Sequence, residues 1–220
     1  EVEAEVAGWV AARAPIPAVY DALRARAAPR RLVDKSPSYA LDPEVLARAE
    51  RLFPEARYIH LVRHPVPTSR SFVERRMGRL LGGEGIAGIE AALAVWTIGN
   101  RNLVEFLGRV QPARVLRVRY EDLVADPPRE LARIAGFLGV DYEPAMVDPH
   151  RRRFPGEERG VIGDPGFYAR RGVDASLADA WLEGHVLGCM SVESRVATLG
   201  EDREAAEAAH AACEAGRRER

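Results

Sequence analysis

The stretch Arg57–Pro65, RYIHLVRHP, decides the fold class of this chain. Its first part, RYIHLV at 57–62, is rich in aromatic and β-branched side chains, which favours a strand. The strand is expected to end abruptly at Arg63-His64-Pro65, and a helix is predicted to follow over about 66–81. The segment therefore predicts a strand that leads through a short turn into a helix.

Segments on both sides repeat this alternation. RLVD at 31–34 predicts a short buried strand, and VLRVRY at 115–120 predicts another strand. Helices are predicted around these strands at about 42–53, 66–81, 89–107 and 127–138. Strands that alternate with helices of this length indicate βαβ crossovers. We therefore expect a three-layer α/β fold with a parallel sheet flanked by helices.

The two ends of the chain follow other patterns. Residues 2–28 are rich in Ala, Glu and Arg and predict two short helices, separated by Pro15-Ile16-Pro17. Residues 148–173 are rich in Pro, Gly and Arg and predict a long loop. We expect residues 1–200 to form one α/β domain and residues 201–220 to form a polar helical tail.

Composition excludes several classes of function. The net charge is −1 and the pI is about 6.6, so no global positive field exists to hold nucleic acid or an anionic membrane. Two cysteines cannot form the disulfide framework of a secreted domain and suit a reducing, cytoplasmic location. The five histidines show no metal-ligand spacing, and no apolar run is long enough to span a bilayer. Any anion must therefore be bound by a local site, without a metal.

Arg63 and Ser71 form the first candidate for such a site. Arg63 follows a predicted strand, and Ser71 lies eight positions later, about two turns into the predicted helix. In open α/β sheets, ligands bind at the carboxyl ends of the strands, near helix N-termini that favour negative charge. An arginine and a serine hydroxyl there suit a phosphate group. The alternative is that Arg63 pairs with a surface acid and that Ser71 faces solvent.

Lys35 is the second candidate. It is the one lysine among 32 basic residues, and it lies in DKSPSY at 34–39, after a predicted strand. Lysine and arginine are not interchangeable, so one interpretation is that a compact ammonium is required there to stabilise charge on a transferred group. An exposed turn lysine is the alternative.

Two further candidates lie later in the chain. Tyr120 ends the predicted strand at 115–120 and is placed either to stack on a base or to cover the core. Arg170, Arg171 and Gly172 lie in the predicted loop and suit a flexible phosphate clamp, although a solvated pair is the default on an arginine-rich chain.

In this order, these motifs resemble those of the sulfotransferases that use 3′-phosphoadenosine 5′-phosphosulfate (PAPS). YIHLVRHPVPTSRSF at 58–72 is similar to the family's 3′-phosphate motif, in which a strand ends in arginine and a serine lies eight positions later. VRYEDLVADP at 118–127 is similar to the strand that places a tyrosine near the adenine, and FYARRG at 167–172 resembles the late phosphate-closing loop. The resemblance covers about 31–181 and implies a P-loop-like fold.

The resemblance implies a role for each candidate. Arg63 and Ser71 are expected to hold the 3′-phosphate of PAPS, Tyr120 to lie near the adenine, and Lys35 to assist the leaving group. The late loop is expected to close over the phosphate through Arg170, Arg171 and Gly172.

One subfamily is the most similar. The run at 32–65, from LVDKSPSY to LVRHP, is most similar to sulfotransferase domains of bacterial polyketide synthases. The resemblance therefore implies a hydroxyl acceptor, in the form of a β-hydroxyacyl chain bound to an acyl carrier protein.

Two parts of the family pattern have no match. The glycine- and serine-containing phosphosulfate loop belongs upstream of every matched segment, so we expect an N-terminally incomplete domain that lacks its first strand. The family's catalytic histidine follows a Lys-Thr pair, whereas Pro37 follows Lys35-Ser36 here, and Tyr168 stands near the late loop where polyketide-type relatives often carry histidine. The general base is therefore unassigned.

Two other functions compete with the enzyme. A non-catalytic docking module derived from a sulfotransferase would explain the unmatched upstream loop. A nucleotide kinase shares the architecture, but the sequence contains no G-x-x-x-x-G-K-[ST] motif and no acid obviously placed for magnesium.

Overall fold

A computed structural model describes residues 2–75, 77, 88–148, 173 and 175–178. The chain divides into two compact units, Glu1–Ala56 and Arg57–Arg220. None of the helices in the described ranges is long and apolar enough to cross a membrane.

The N-terminal unit is helical. Its helices are α1 (Val2–Ala11), α2 (Ile16–Ala27) and α3 (Pro43–Leu52), with a 3₁₀ turn at Pro37–Leu41. Helix α3 begins where the sequence predicts, because the Asp42 carboxylate accepts a hydrogen bond of 2.8 Å from the Glu44 N–H. The two predicted N-terminal helices and the start of α3 are confirmed.

The strand predicted at 31–34 is wrong. The structure has no strand there, and Val33 is 75% exposed. The Asp34 carboxylate instead accepts hydrogen bonds from the Tyr20 hydroxyl, at 2.5 Å, and from the Ser36 hydroxyl, at 2.6 Å. Local side-chain hydrogen bonds of this kind compete with the pairing of strands. They explain why the short run RLVD at 31–34 stays irregular.

The C-terminal unit contains a parallel sheet. Strands β1 (Tyr58–Val62) and β2 (Val115–Arg119) pair in parallel, from Tyr58 opposite Val115 to Val62 opposite Arg119. Helices α4 (Pro65–Glu74) and α5 (Ile89–Leu107) lie between the strands in sequence, and α6 (Tyr120–Ala125) and α7 (Pro127–Leu138) follow β2. Short 3₁₀ turns lie at Pro112–Arg114, Pro144–Val147 and Ala175–Ala178. This parallel crossover confirms the predicted α/β class.

The core of this unit lies between β1 and α5. Val62, Leu93 and Trp96 are buried together, and Ile89 packs against them. His60 is also buried, and its Nε2 lies 3.0 Å from the Asn100 Oδ1. His60 is therefore a packed residue of this core.

Two element boundaries differ from those that the sequence predicts. Tyr120 does not end β2 but begins α6, so its side chain is carried by a helical turn. Helix α4 ends at Glu74, earlier than the predicted end near residue 81. Residues 76 and 78–87 and nearly all of the predicted loop at 148–173 lie outside the described residues.

Candidate functional site

The carboxyl ends of β1 and β2 bring Arg63 and Tyr120 together. Val62 pairs with Arg119, and the next residue of each strand is Arg63 and Tyr120 respectively. The Arg63 Cζ lies 4.4 Å from the centroid of the Tyr120 ring, which is the geometry of a cation–π contact. This edge is where ligands bind in open α/β sheets.

The Arg63 guanidinium has hydrogen-bonding capacity to spare. Its Nε is buried, and no described atom accepts a hydrogen bond from it. A buried donor without an acceptor is costly, so such atoms point to a ligand or to ordered water. Since guanidinium binds phosphate oxygens through two parallel N–H donors, Arg63 is suited to an anion.

The start of α4 adds to this favourable setting for an anion. Helix α4 begins at Pro65, two residues after Arg63, and the Nδ1 of His64 accepts a hydrogen bond of 3.3 Å from the Val66 N–H. The Thr68 hydroxyl donates to the His64 carbonyl at 2.8 Å. Pro65 and Pro67 have no N–H and the Val66 N–H is already bonded, so α4 offers an anion no free donor in its first turn. The positive end of its helix dipole still acts in the same direction as the charge of Arg63.

Ser71 lies on α4, as predicted. Its Oγ accepts a hydrogen bond of 2.9 Å from the Arg75 Nε. A hydroxyl that accepts one hydrogen bond still has its own hydrogen to donate. Ser71 is thus able to donate to a phosphate oxygen while Arg75 holds its side chain.

The predicted site residues fall into three groups. The structure brings Arg63 and Tyr120 into contact and carries Ser71 on the helix that follows Arg63. Lys35 belongs to the N-terminal unit, and its side chain is exposed. The late-loop residues Arg170, Arg171 and Gly172 lie outside the described residues.

Comparison with known proteins identifies the family. The family model described as "Sulfotransferase family" matches residues 3–144 of this chain. The chain belongs to the sulfotransferase family. Among curated proteins, nodulation protein NoeE of Sinorhizobium fredii is 30% identical over 74% of this chain and 41% of its own length. The omega-hydroxy-beta-dihydromenaquinone-9 sulfotransferase Stf3 of Mycobacterium tuberculosis is 31% identical over 50% of this chain and 29% of its own length. This sulfotransferase-family chain therefore spans less than half the length of these relatives.

Two solved sulfotransferase domains share its fold. The domain from the curacin biosynthetic pathway has a TM-score of 0.72 and 37% identity, covering 83% of this chain and 68% of that one. The domain from the olefin synthase of Synechococcus PCC 7002 has a TM-score of 0.69 and 40% identity, covering 81% of this chain and 61% of that one. These matches confirm the predicted similarity to sulfotransferase domains of polyketide synthases.

His64, beside Arg63, is held uncharged. Burial, together with the positive charge of Arg119, lowers the pKa of His64 from 6.5 to about 4. Neutral His64 can accept the hydrogen bond that starts α4, whereas a doubly protonated ring cannot.

This pKa predicts acid-sensitive stability. Between about pH 6.5 and about pH 4, the unfolded chain binds a proton at His64 that the folded chain excludes, so stability is present above this window and falls as the pH drops through it. The loss is up to about 1.4 kcal/mol per pH unit. Urea unfolding at about pH 7 and about pH 5 should show a smaller decrease for His64→Asn, because asparagine also caps helices but does not titrate. An identical pH dependence in both proteins would contradict this explanation.

A cluster of hydroxyl groups holds the residue before Lys35. Partial burial acts to raise the pKa of Asp34, but hydrogen bonds from Ser36 and two tyrosines outweigh it and leave the pKa lowered. The hydrogen bond to Asp34 also raises the pKa of the Tyr20 hydroxyl. Among the residues that the structure describes, no acid forms an ion pair with Lys35. The Asp34 carboxylate is therefore engaged by hydroxyls, and the Lys35 ammonium is available to a ligand.

Tyr20→Phe tests this local structure. The variant keeps the ring contact with Phe53, whose centroid lies 4.7 Å away, and removes only the hydrogen bond to Asp34. We expect the free energy of unfolding to fall by about 1 kcal/mol and amide exchange to become faster at 31–36. Tyr39→Phe, which removes another hydroxyl near Asp34, provides a comparison. Unchanged exchange at 31–36 in Tyr20→Phe would show that the hydroxyl does not order this segment.

Sequence reasoning missed three contributors to the site. Trp96 and Glu121 bond to the backbone next to Arg63, and Arg75 bonds to Ser71. The Ser71–Arg75 pair had a usable signal, since residues four apart share a helix face. Trp96 and Glu121 had none, because their contacts join segments 33 and 57 residues apart in the chain.

Proposed function

We propose that this chain carries the 3′-phosphate-binding part of a PAPS-dependent sulfotransferase that acts on a hydroxyl acceptor. The observation that carries the proposal is the Arg63 guanidinium, stacked on Tyr120 at the ends of two parallel strands, with a buried Nε that no described atom satisfies. Membership of the sulfotransferase family supports the type of reaction.

The residues at the strand ends fit the nucleotide end of PAPS. Arg63 and the Ser71 hydroxyl supply donors for the 3′-phosphate, and the helix dipole of α4 favours its negative charge. One face of the Tyr120 ring is covered by the guanidinium, so the adenine is proposed to contact the opposite face or the edge of the ring. The late loop is proposed to close over the phosphate through Arg170, Arg171 and Gly172, on the strength of the sequence resemblance.

The chemistry needs positioning and charge stabilisation. When bound, PAPS would supply a sulfuryl group that bonds to the acceptor oxygen as its bond to the 5′-phosphate breaks, and the proton of the acceptor hydroxyl would be released to solvent. Lys35 is proposed to neutralise the negative charge that develops on the leaving phosphate oxygen. Arg63 and Ser71 fix the nucleotide so that this charge develops in a constant place. A metal is not required in this scheme, because the sulfuryl group carries less negative charge than a phosphoryl group and a lysine can supply the positive potential.

The proposed acceptor is a β-hydroxyacyl chain on an acyl carrier protein. The similarity to the curacin-pathway and olefin synthase domains supports this choice. We also propose that residues 1–200 form the sulfotransferase-like domain and that residues 201–220 form a tail outside it. Limited proteolysis that leaves 1–200 intact and removes the tail is the expected result, and early cleavage between Ala56 and Arg57 would contradict it.

Transfer of radiolabelled sulfate tests the activity. The full-length protein that contains this chain is incubated with PAPS labelled with sulfur-35 and with a β-hydroxyacyl carrier protein. We expect label on the carrier, and none on a matched carrier whose acyl chain lacks the hydroxyl. Carrier retention without label, together with no binding of 3′-phosphoadenosine 5′-phosphate (PAP), would instead show a docking module.

A further inference from the structure

The peptide group that joins Arg63 to His64 is held from both sides. Its carbonyl oxygen accepts a hydrogen bond of 3.0 Å from the Trp96 Nε1. Its N–H, on His64, donates to the Glu121 Oε1 at 2.8 Å. Since the peptide group is planar, the two bonds together fix the rotation of this plane.

Both partners are buried protein groups and not surface contacts. Trp96 and Glu121 are each 9% exposed, and Trp96 belongs to the core cluster that also contains Val62. Trp96 lies on α5 and Glu121 in the first turn of α6, so two separate helices hold one peptide. The backbone that follows Arg63 is thereby tied to the core by Trp96 and to α6 by Glu121.

Electrostatic attraction to the anion does not account for a carboxylate at position 121, so close to Arg63. A carboxylate close to an arginine that binds an anion weakens the attraction for that anion. The Glu121 carboxylate accepts a hydrogen bond from the His64 N–H. Glu121 directly follows Tyr120, and the Arg63 guanidinium stacks on the Tyr120 ring. The bond therefore links the residue after Arg63 to the residue after Tyr120, across the ends of the paired strands β1 and β2.

We propose that Glu121 and Trp96 are positioning residues that aim the Arg63 guanidinium. They act through the Arg63–His64 peptide and touch no ligand themselves. The consequence for the 3′-phosphate rests on the proposed function, whereas the aim of the guanidinium can be measured without ligand.

The ligand-free test uses NMR. In the native protein, the Arg63 side-chain protons should be shifted upfield by the Tyr120 ring. We expect Glu121→Ala and Trp96→Phe to reduce that shift, and Glu121→Gln to retain it, because its amide oxygen still accepts from the His64 N–H. Retention of the full shift in Glu121→Ala would overturn the proposal.

The functional test compares two nucleotides that differ only in the 3′-phosphate. The ratio of affinities for PAP and adenosine 5′-phosphate is measured by calorimetry. We expect Glu121→Ala to lower this ratio about 10-fold, with adenosine 5′-phosphate binding nearly unchanged. Glu121→Gln should keep the ratio or raise it, since it preserves the hydrogen bond and removes a negative charge.

Glu130→Ala is the matched control. Glu130 is also buried, at 4% exposure, but its carboxylate bonds to Arg133. We expect this variant to lose thermal stability and yet to keep both the Arg63 shift and the affinity ratio. A fall in the ratio in Glu130→Ala equal to that in Glu121→Ala would show a general structural effect and overturn the positioning role. A native protein that retains the NMR shift but binds both nucleotides equally would refute the proposed function and leave the aim of the guanidinium intact.

Discussion

Arg63→Ala is expected to weaken binding of PAP about 100-fold, which is the largest effect on affinity that we predict. The variant removes a charged, two-pronged donor group, and each hydrogen bond to a charged partner contributes about 1.5–3 kcal/mol. Arg63→Lys should recover only part of the affinity, because an ammonium keeps the charge and loses the planar fork. Calorimetric titration with PAP measures both variants.

The design of this experiment separates phosphate binding from folding. Adenosine 5′-phosphate should bind the native protein and Arg63→Ala with similar affinity, since it lacks the 3′-phosphate. Arg57→Ala is the matched control, because Arg57 lies at the opposite end of β1, where its guanidinium contacts the Phe137 ring at 5.8 Å. An equal loss of PAP affinity in Arg57→Ala would assign the effect to general charge or stability, and not to the carboxyl end of the strand.

If the proposed function holds, Lys35→Ala is expected to lower kcat about 100-fold in the full-length protein. Removing one preformed group that stabilises transition-state charge typically costs about 10²–10³ in kcat. The KM for PAPS should change little, because the charge on the leaving oxygen develops only during the reaction. Steady-state assays with labelled PAPS give both constants.

A neighbouring arginine provides the control for Lys35. Arg31 lies in the same irregular segment and is also exposed, so Arg31→Ala removes an equal charge at a distance of four residues. We expect Arg31→Ala to retain nearly all of the activity. If Lys35→Ala raised the KM and left kcat unchanged, Lys35 would be a binding residue and not a group that stabilises the transition state.

The regular elements of the fold were predictable from local signals. The predicted strand at 57–62 and the helix at 89–107 match β1 and α5 closely, since their apolar patterns are long and have clear ends. The start of α3 was predictable from Asp42 and Pro43, because a capping carboxylate followed by proline acts within one turn. The contact between Arg63 and Tyr120 also follows from the order of strands in a parallel sheet.

Features that depend on distant contacts were not predictable. The run RLVD at 31–34 has strand-like composition, yet a hydroxyl from Tyr20 binds its aspartate and the run stays irregular. The bonds of Trp96 and Glu121 to the Arg63–His64 peptide join side chains that no sequence spacing connects. Such contacts are set by how helices pack onto the sheet, which local propensity does not specify.

A crystal structure of the full-length protein with bound PAP tests the central claim most directly. We predict that the 3′-phosphate lies at the carboxyl end of β1, with oxygens about 2.7–3.2 Å from the Arg63 guanidinium and the Ser71 hydroxyl. Density for the 3′-phosphate at any other place, with the Arg63 guanidinium still stacked on Tyr120 and making no contact with the nucleotide, would contradict it.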